Sequence, residues 1–155
     1  MNPVRWGVLS TAKIARERVI PAMQQSQLCD IRGIASRDPA KAKKTANDLG
    51  IKNTYDSYEE LIADPEIEAV YNPLPNHLHV PWSIRAAEAG KHVLCEKPIA
   101  MTAGEARDLI TTRDKYGVLI EEAFMPRHHP QWKKVRALLN GGKIGEVRAV
   151  QAAFS

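Results

Sequence analysis

Residues 7–15, GVLSTAKIA, close a short apolar run and open a helical one, and the turn between them decides the fold. Upstream, VRWGVLS (4–10) has the apolar content of a buried strand. Downstream, IARERVIPAMQQS (14–26) sets Ile14, Val19, Ala22 and Met23 on one helical face, with Pro21 placed to kink it. The same alternation then repeats along the chain. CDIRGIAS (29–36) reads as a second strand, Asp38 and Pro39 as an N-cap and first turn, and AKAKKTANDLG (40–50) as a helix closed by Gly50.

A short strand at 53–55 leads to a helix opened by the Ser57 and Glu60 capping box and ending near Asp64, then EIEAVYN (66–72) forms a strand. HLHVPWSIRAAEAG (77–90), KHVLCE (91–96), TAGEARDLITTRDKYG (102–117) and VLIEEAF (118–124) continue as helix, strand, helix and strand. Strands alternating with helical segments build βαβ units, so the fold class is α/β: a Rossmann-type doubly wound, mostly parallel sheet with helices on both faces.

In such a fold the first turn carries the phosphate fingerprint G-x-G-x-x-G/A. Here Ser10, Ala12 and Ala15 occupy the small positions, and two of the glycines are missing. Small side chains still let backbone N–H groups and the helix start approach a pyrophosphate. Ser10, Thr11, Ala12, Lys13 and Ile14 are therefore candidate cofactor contacts. About 20 residues on, a carboxylate would accept the hydroxyls of an unmodified ribose. Ser36 and Arg37 stand there instead, with Lys41 a helical turn farther, which favours a 2′-phosphate and hence NADP over NAD. The competing reading makes Arg37 a solvated loop charge and Asp38 a simple cap.

Composition narrows the function classes. The 155 residues suffice for one compact domain with a sizeable core. The net charge of +4 is spread along the chain with no basic run, interleaved aromatics or recognition-helix motif, so a nucleic-acid partner is not expected. Cys29 and Cys95 form no C-x-x-C pair, which fits a reducing, cytoplasmic compartment. No apolar window is long enough for a membrane span, and the N-terminus lacks an export-signal pattern. His128 and His129 lack a third ligand at a recognisable spacing, so no metal site is expected.

After Phe124 the pattern changes. MPRHHP (125–130) is a proline-bounded loop, QWKKVRALLNGG (131–142) an amphipathic helix, and GEVRAVQAAFS (145–155) an alternating strand. A lone alternating strand would be an exposed edge, so residues from about 125 are expected to begin a second, truncated domain, with the dinucleotide domain at 1–124.

The stretches WGVLSTAKIA, ASRDPAKA, NPLPNHLH, AAEAGKHVLCEKPIA and EEAFMPRHHPQW, in that order, resemble the glucose-fructose oxidoreductase, inositol dehydrogenase and rhizopine catabolism family. The likeness is greatest to its NADP-dependent D-xylose and dihydrodiol dehydrogenase branch, and it covers essentially the whole chain. It implies a Rossmann domain followed by a larger α/β domain that walls the substrate site and usually mediates homo-oligomerisation. It also implies hydride transfer between a nicotinamide and a sugar or diol substrate. A shortened chain is then expected to bind cofactor with little turnover.

Residue by residue, the resemblance implies that Lys97 of the E-K-P motif lies by nicotinamide and substrate as the catalytic residue. There it either exchanges a proton with the substrate oxygen or stays cationic and polarises it. Glu96 is implied on the nicotinamide ribose, and Pro98 matches a proline that commonly follows a cis peptide bond. Leu74, Pro75, Asn76 and His79 match a cofactor-contacting loop, although Asn76 by itself also reads as a helix N-cap and His79 as a helix-surface or capping histidine. Arg127 matches an arginine near the nicotinamide amide or substrate, while Pro126 replaces the usual aromatic. Without the other motifs, Glu96, Lys97 and Pro98 would read only as a strand end with solvated charges. A non-catalytic nucleotide-sensing module with the same fold is the alternative, and the retained E-K-P speaks against it.

Overall fold

The computed structural model describes residues 2–153. Two compact units divide the chain at Ala123 and Phe124. In the first, six strands form one parallel sheet: β1 (Val4–Leu9), β2 (Cys29–Ala35), β3 (Asn53–Tyr55), β4 (Ala69–Asn72), β5 (His92–Cys95) and β6 (Ile120–Glu122). Their order is β3-β2-β1-β4-β5-β6, so the chain reverses direction across the sheet between β1 and β4. Crossovers reversing there put helices on both faces and open a crevice at the carboxyl ends of those two strands.

The connecting helices are α1 (Ile20–Gln24), α2 (Pro39–Leu49), α3 (Tyr58–Ala63), α4 (His79–Glu88) and α5 (Ala103–Tyr116). Their starts follow the local chemistry. Asp38 accepts from the Lys41 N–H with Pro39 in the first turn, and Thr102 and Glu105 cap each other reciprocally. Ser57 caps α3 through the Glu60 N–H, but the Glu60 carboxylate takes the Asp56 N–H in place of the N-cap's own. Gly50 and Gly117 end their helices at φ +65, a conformation that glycine adopts without steric cost.

Two apolar clusters flank the sheet. One gathers Leu9, Leu61, Ile67, Val70 and Val93; the other gathers Val8, Ile20, Ile34 and Tyr71. Successive strand residues thus feed opposite faces, Val8 to one and Leu9 to the other, as pleating requires.

The first helix departs from the expected pattern. Residues Ala15–Val19 form a π-helical turn ahead of α1, with Pro21 just beyond it. A π turn holds an extra residue, which rotates the buried face. Ala15 and Ile20 are fully buried, whereas Ile14 is 40% exposed and Ala22 also faces out. The expected inward set is corrected accordingly, with only Val19 and Met23 packing partly against the core.

The second unit contains a turn at Met125–Arg127 and helix α6 (Pro130–Asn140), started by His129, whose Nδ1 accepts from the Gln131 N–H. Trp132, Val135, Leu138 and Leu139 are exposed on α6. The strand expected from residue 145 does not form among the described residues; a strand is held by ladder bonds, and no described strand pairs with this segment. Phe154 and Ser155, the end of that expected strand, lie outside the described residues.

Candidate functional site

All six strands run parallel, so their carboxyl ends share one rim. Leu9 pairs with Ala35, Asn72 with Cys95, and Cys95 with Glu122. The ladder extends one residue past these ends, from the Ser10 N–H to the Ala35 carbonyl, Glu96 N–H to Asn72 and Ala123 N–H to Cys95. The sequence candidates on β1, β2, β4 and β5 leave from this row.

The first turn follows β1. Ser10 has φ +91, the only positive value at a non-glycine among the described residues. The fingerprint's first glycine would take that conformation without cost, so the serine carries backbone strain there. Its Oγ accepts from the Ala12 N–H at 3.2 Å, and the Arg16 guanidinium donates to the Thr11 carbonyl at 3.0 Å. Lys13 and Ile14 are exposed beside them, Lys13 at 4.0 Å from Glu17.

The second turn follows β2. Ser36 is buried, and its Oγ accepts from the Asp38 N–H at 3.2 Å, which tightens the loop. Arg37 is exposed, and its guanidinium interacts with the Tyr58 phenol, whose pKa burial raises and Arg37 opposes. Lys41 is exposed at 3.5 Å from Asp38. The backbone N–H of Lys41, with smaller help from its ammonium, holds the Asp38 carboxyl below its usual range. Both parts of the competing reading are thus compatible: Asp38 caps α2 while Arg37 faces solvent.

The third segment follows β4. Asn72 is fully buried and its amide is satisfied, donating to the His79 carbonyl and the Ser83 hydroxyl while its Oδ1 accepts from Leu74 N–H. Leu74 is buried, Pro75 and Asn76 are exposed. Asn76 opens a short 3-10 turn, Asn76–Leu78, and no side chain caps either that turn or α4, so the N-cap reading of Asn76 is not realised. His79 is 1% exposed. Its Nδ1 lies 2.7 Å from the Pro98 carbonyl and its Nε2 2.7 Å from the Leu74 carbonyl, so the ring ties the third segment to the fourth. The helix-surface reading of His79 is therefore corrected.

The fourth segment is the E-K-P turn after β5. Lys97–Pro98 is cis. Glu96 is half-buried; its Oε1 accepts from the Tyr71 phenol at 2.7 Å and its Oε2 from the Lys97 N–H at 3.3 Å. The Lys97 side chain is exposed, with no ion pair among the described residues. Burial, with Glu96 and Glu122 nearby, pushes the Cys95 thiol up to about 12, so it stays a neutral core residue despite its place beside the motif.

Arg127 belongs to the second unit, exposed in its first turn. No group of three or more His, Cys, Asp or Glu among the described residues could hold a metal ion. No helix among them is long and apolar enough to cross a membrane.

Four supporting residues escaped the sequence reading: Tyr71, Asn72, Ser83 and Glu122. Tyr71 and Asn72 lie inside an apolar strand run, where they pass for core. Two polar-tipped side chains at the end of a buried strand are the signal that could have found them.

The family described as "Oxidoreductase family, NAD-binding Rossmann fold" matches residues 4–124. An uncharacterized oxidoreductase of Rhizobium meliloti, ORF334, is 54% identical over all of this chain and 46% of its own length. D-xylose 1-dehydrogenase (NADP(+)) 2 of Haloferax volcanii is 44% identical over 97% of this chain and 46% of its own. Among solved structures, KijD10, a 3-ketoreductase from Actinomadura kijaniata in complex with TDP-benzene and NADP, superposes with a TM-score of 0.87. That match has 40% identity and covers 95% of this chain and 46% of KijD10. The chain thus spans about half the length of the relatives it matches. With its sheet order, its rim turns and these matches in agreement, the chain belongs to the glucose-fructose oxidoreductase, inositol dehydrogenase and rhizopine catabolism family of oxidoreductases, through its NAD-binding Rossmann fold.

Proposed function

We propose that this chain is the cofactor-binding part of an NADP-dependent oxidoreductase that moves hydride between the nicotinamide and a hydroxyl-bearing carbon of a sugar or related diol. The observation that carries the reading is the row of four turns on one rim, at Ser10, Ser36, Leu74 and Glu96, astride the β1/β4 reversal. A dinucleotide laid across that row meets small residues at its pyrophosphate, a cation at one end and the E-K-P turn at the other. The H. volcanii relative's NADP-dependence and the NADP bound to KijD10 support the same assignment.

The residues present fit such a cofactor. Ser10 holds the backbone form a phosphate turn needs, and Lys13 and Ile14 stand open at the helix start. Arg37 offers a planar, solvent-facing donor set to a 2′-phosphate, with Lys41 adding charge. The exposed Asn76 amide and Pro75 ring, backed by the buried Leu74, suit the middle of the dinucleotide, and Glu96 the ribose next to nicotinamide. The bound cofactor supplies the hydride chemistry. Lys97 supplies a donor to the substrate oxygen, either passing a proton or polarising it as a cation. Arg127 would serve the nicotinamide amide or the substrate. Residues 125–155 would open a substrate domain that completes the pocket and carries the contacts between copies in a homo-oligomer.

Titration of the chain with NADPH and NADH tests the cofactor reading: NADPH should bind more tightly, and tighter NADH binding would refute the 2′-phosphate role of Arg37. An open frame continuing past the codon for Ser155 into a sheet-rich domain would confirm the division, and a stop codon there would refute it. In the continued chain, Lys97→Ala should abolish most aldose or diol oxidation while largely keeping NADPH affinity. Full turnover without Lys97 would leave a nucleotide-binding module whose chemistry lies elsewhere.

A further inference from the structure

The E-K-P turn is built unlike the rest of the rim. Residues 97–101 make no backbone-to-backbone hydrogen bond among the described residues. Side chains take their polar backbone groups instead. Glu96 accepts the Lys97 N–H, Glu105 accepts the Met101 N–H at 2.7 Å, and the His79 ring meets the Pro98 carbonyl. Glu122 Oε1 accepts the Ile99 N–H at 2.9 Å.

Two of these partners are local and explained by their own surroundings. Glu96 belongs to the turn itself, and Glu105 completes the capping box of α5. The other two come from distant elements: His79 from the start of α4, 19 residues away, and Glu122 from β6, 23 residues away in sequence. The Glu122 backbone is fixed opposite Cys95 in the ladder, so its carboxylate starts from a rigid strand position. A half-buried glutamate suits a strand poorly, and the desolvation of its charge needs a specific compensating bond. Here that bond goes to the first N–H after Pro98, which has none of its own. Fixing Ile99 on one side and Glu96 on the other leaves the backbone of Lys97 little freedom, while its side chain stays open.

We propose that Glu122 is a positioning residue for Lys97: by holding the Ile99 N–H it fixes the turn that aims the Lys97 ammonium at the nicotinamide end of the cofactor. The inference rests on the placement of Lys97 given above. An ammonium beside the ring repels the positively charged oxidised nicotinamide and leaves the neutral reduced ring untouched. It therefore raises the ratio of the NADP⁺ to the NADPH dissociation constant.

That ratio, measured on the 155-residue chain at one ionic strength, is the readout, with circular dichroism confirming the fold of each variant. Lys97→Ala should lower it by about threefold or more. Glu122→Leu should lower it to the same extent, and Glu122→Gln, which keeps the accepting oxygen, should hold it. In the Lys97→Ala background Glu122→Leu should lower it no further, because the two residues act in series. Glu122→Asp keeps the charge but falls a methylene short, so it should behave like the leucine variant and replaces it if that variant does not fold. Equal weakening of both cofactor forms at an unchanged ratio would overturn the positioning role, as would loss of the ratio in Glu122→Gln. An unchanged ratio in Lys97→Ala would instead overturn the placement of Lys97, and the proposal with it.

Discussion

The Tyr71 phenol, fully buried in β4, donates a 2.7 Å hydrogen bond to the Glu96 carboxylate at the end of β5. Burial, and then the carboxylate, push the phenol's pKa well up, which favours the protonated, donating form. Tyr71→Phe keeps the ring in the core and removes only this bond. A hydrogen bond to a charged group contributes about 1.5–3 kcal/mol, and the stability measured by urea unfolding should fall by that amount. Glu96 would also lose its inward anchor, so NADPH should bind several-fold more weakly. Undiminished NADPH affinity would mean that Glu96 does not need Tyr71 to meet the cofactor.

At Ser10 the backbone and the side chain pull in opposite directions. A residue with a Cβ at φ +91 costs on the order of 1–3 kcal/mol, while the Oγ bond to the Ala12 N–H contributes about 1 kcal/mol. Ser10→Ala keeps the strain and loses the bond; Ser10→Gly relieves the strain and loses the bond. The glycine variant should therefore be more stable than the alanine variant by roughly 1–2 kcal/mol. Thermal unfolding of the two side by side checks the order, and the reverse order would contradict the positive φ.

The turns that leave the sheet rim were legible because each is local: a strand end, a few small or charged residues, then a helix signal. The bonds that brace those turns were not, because each joins residues distant in sequence. Tyr71 reads as one more hydrophobe in AVYN until Glu96 is placed beside it, and Glu122 reads as a strand-end charge until Ile99 is above it. His79 was legible as part of a motif but not as a buried tie between two loops. Counting by 3.6 residues misplaces the inward face of the first helix, because it cannot anticipate an inserted π turn. The segment from 145 alternates like a strand, yet alternation supplies only a face, and the ladder needs a partner.

Asp64 gives the fold an acid-sensitive brace. Its carboxylate accepts from the Tyr55 phenol and the Glu66 N–H, and Lys91 donates to its carbonyl and to that of Ile67. The phenol and the Glu66 N–H hold the carboxyl below its ordinary value of 3.8, and burial and Asp64 push Tyr55 up to about 12. A carboxyl depressed by folding stabilises the protein above its unfolded pKa and loses that contribution as pH falls through the folded value. Tyr55→Phe should therefore lower the melting temperature at pH 5–7, and the gap from the parent should narrow as pH drops below about 4. A gap that stays constant down to pH 2 would place the effect of Tyr55 in packing alone.

Arg37 is the test of cofactor choice. It stands exposed past the end of β2, with the Tyr58 phenol beside it and no carboxylate at the position that would bind a bare ribose. A 2′-phosphate there would gain charge-assisted bonds of about 1.5–3 kcal/mol from the guanidinium, whereas a 2′-hydroxyl has no charge for it to meet. Arg37→Ala should weaken NADPH binding by about 10- to 100-fold and change NADH binding little. The NADPH dissociation constant should also rise more steeply with salt in the parent than in the variant, because exposed charges are screened. Lys41, one turn into α2 and already paired with Asp38, should contribute less, so Lys41→Ala should produce a smaller loss in the same measurement. Equal losses for NADPH and NADH in Arg37→Ala would show that the arginine supports the loop and does not read the phosphate.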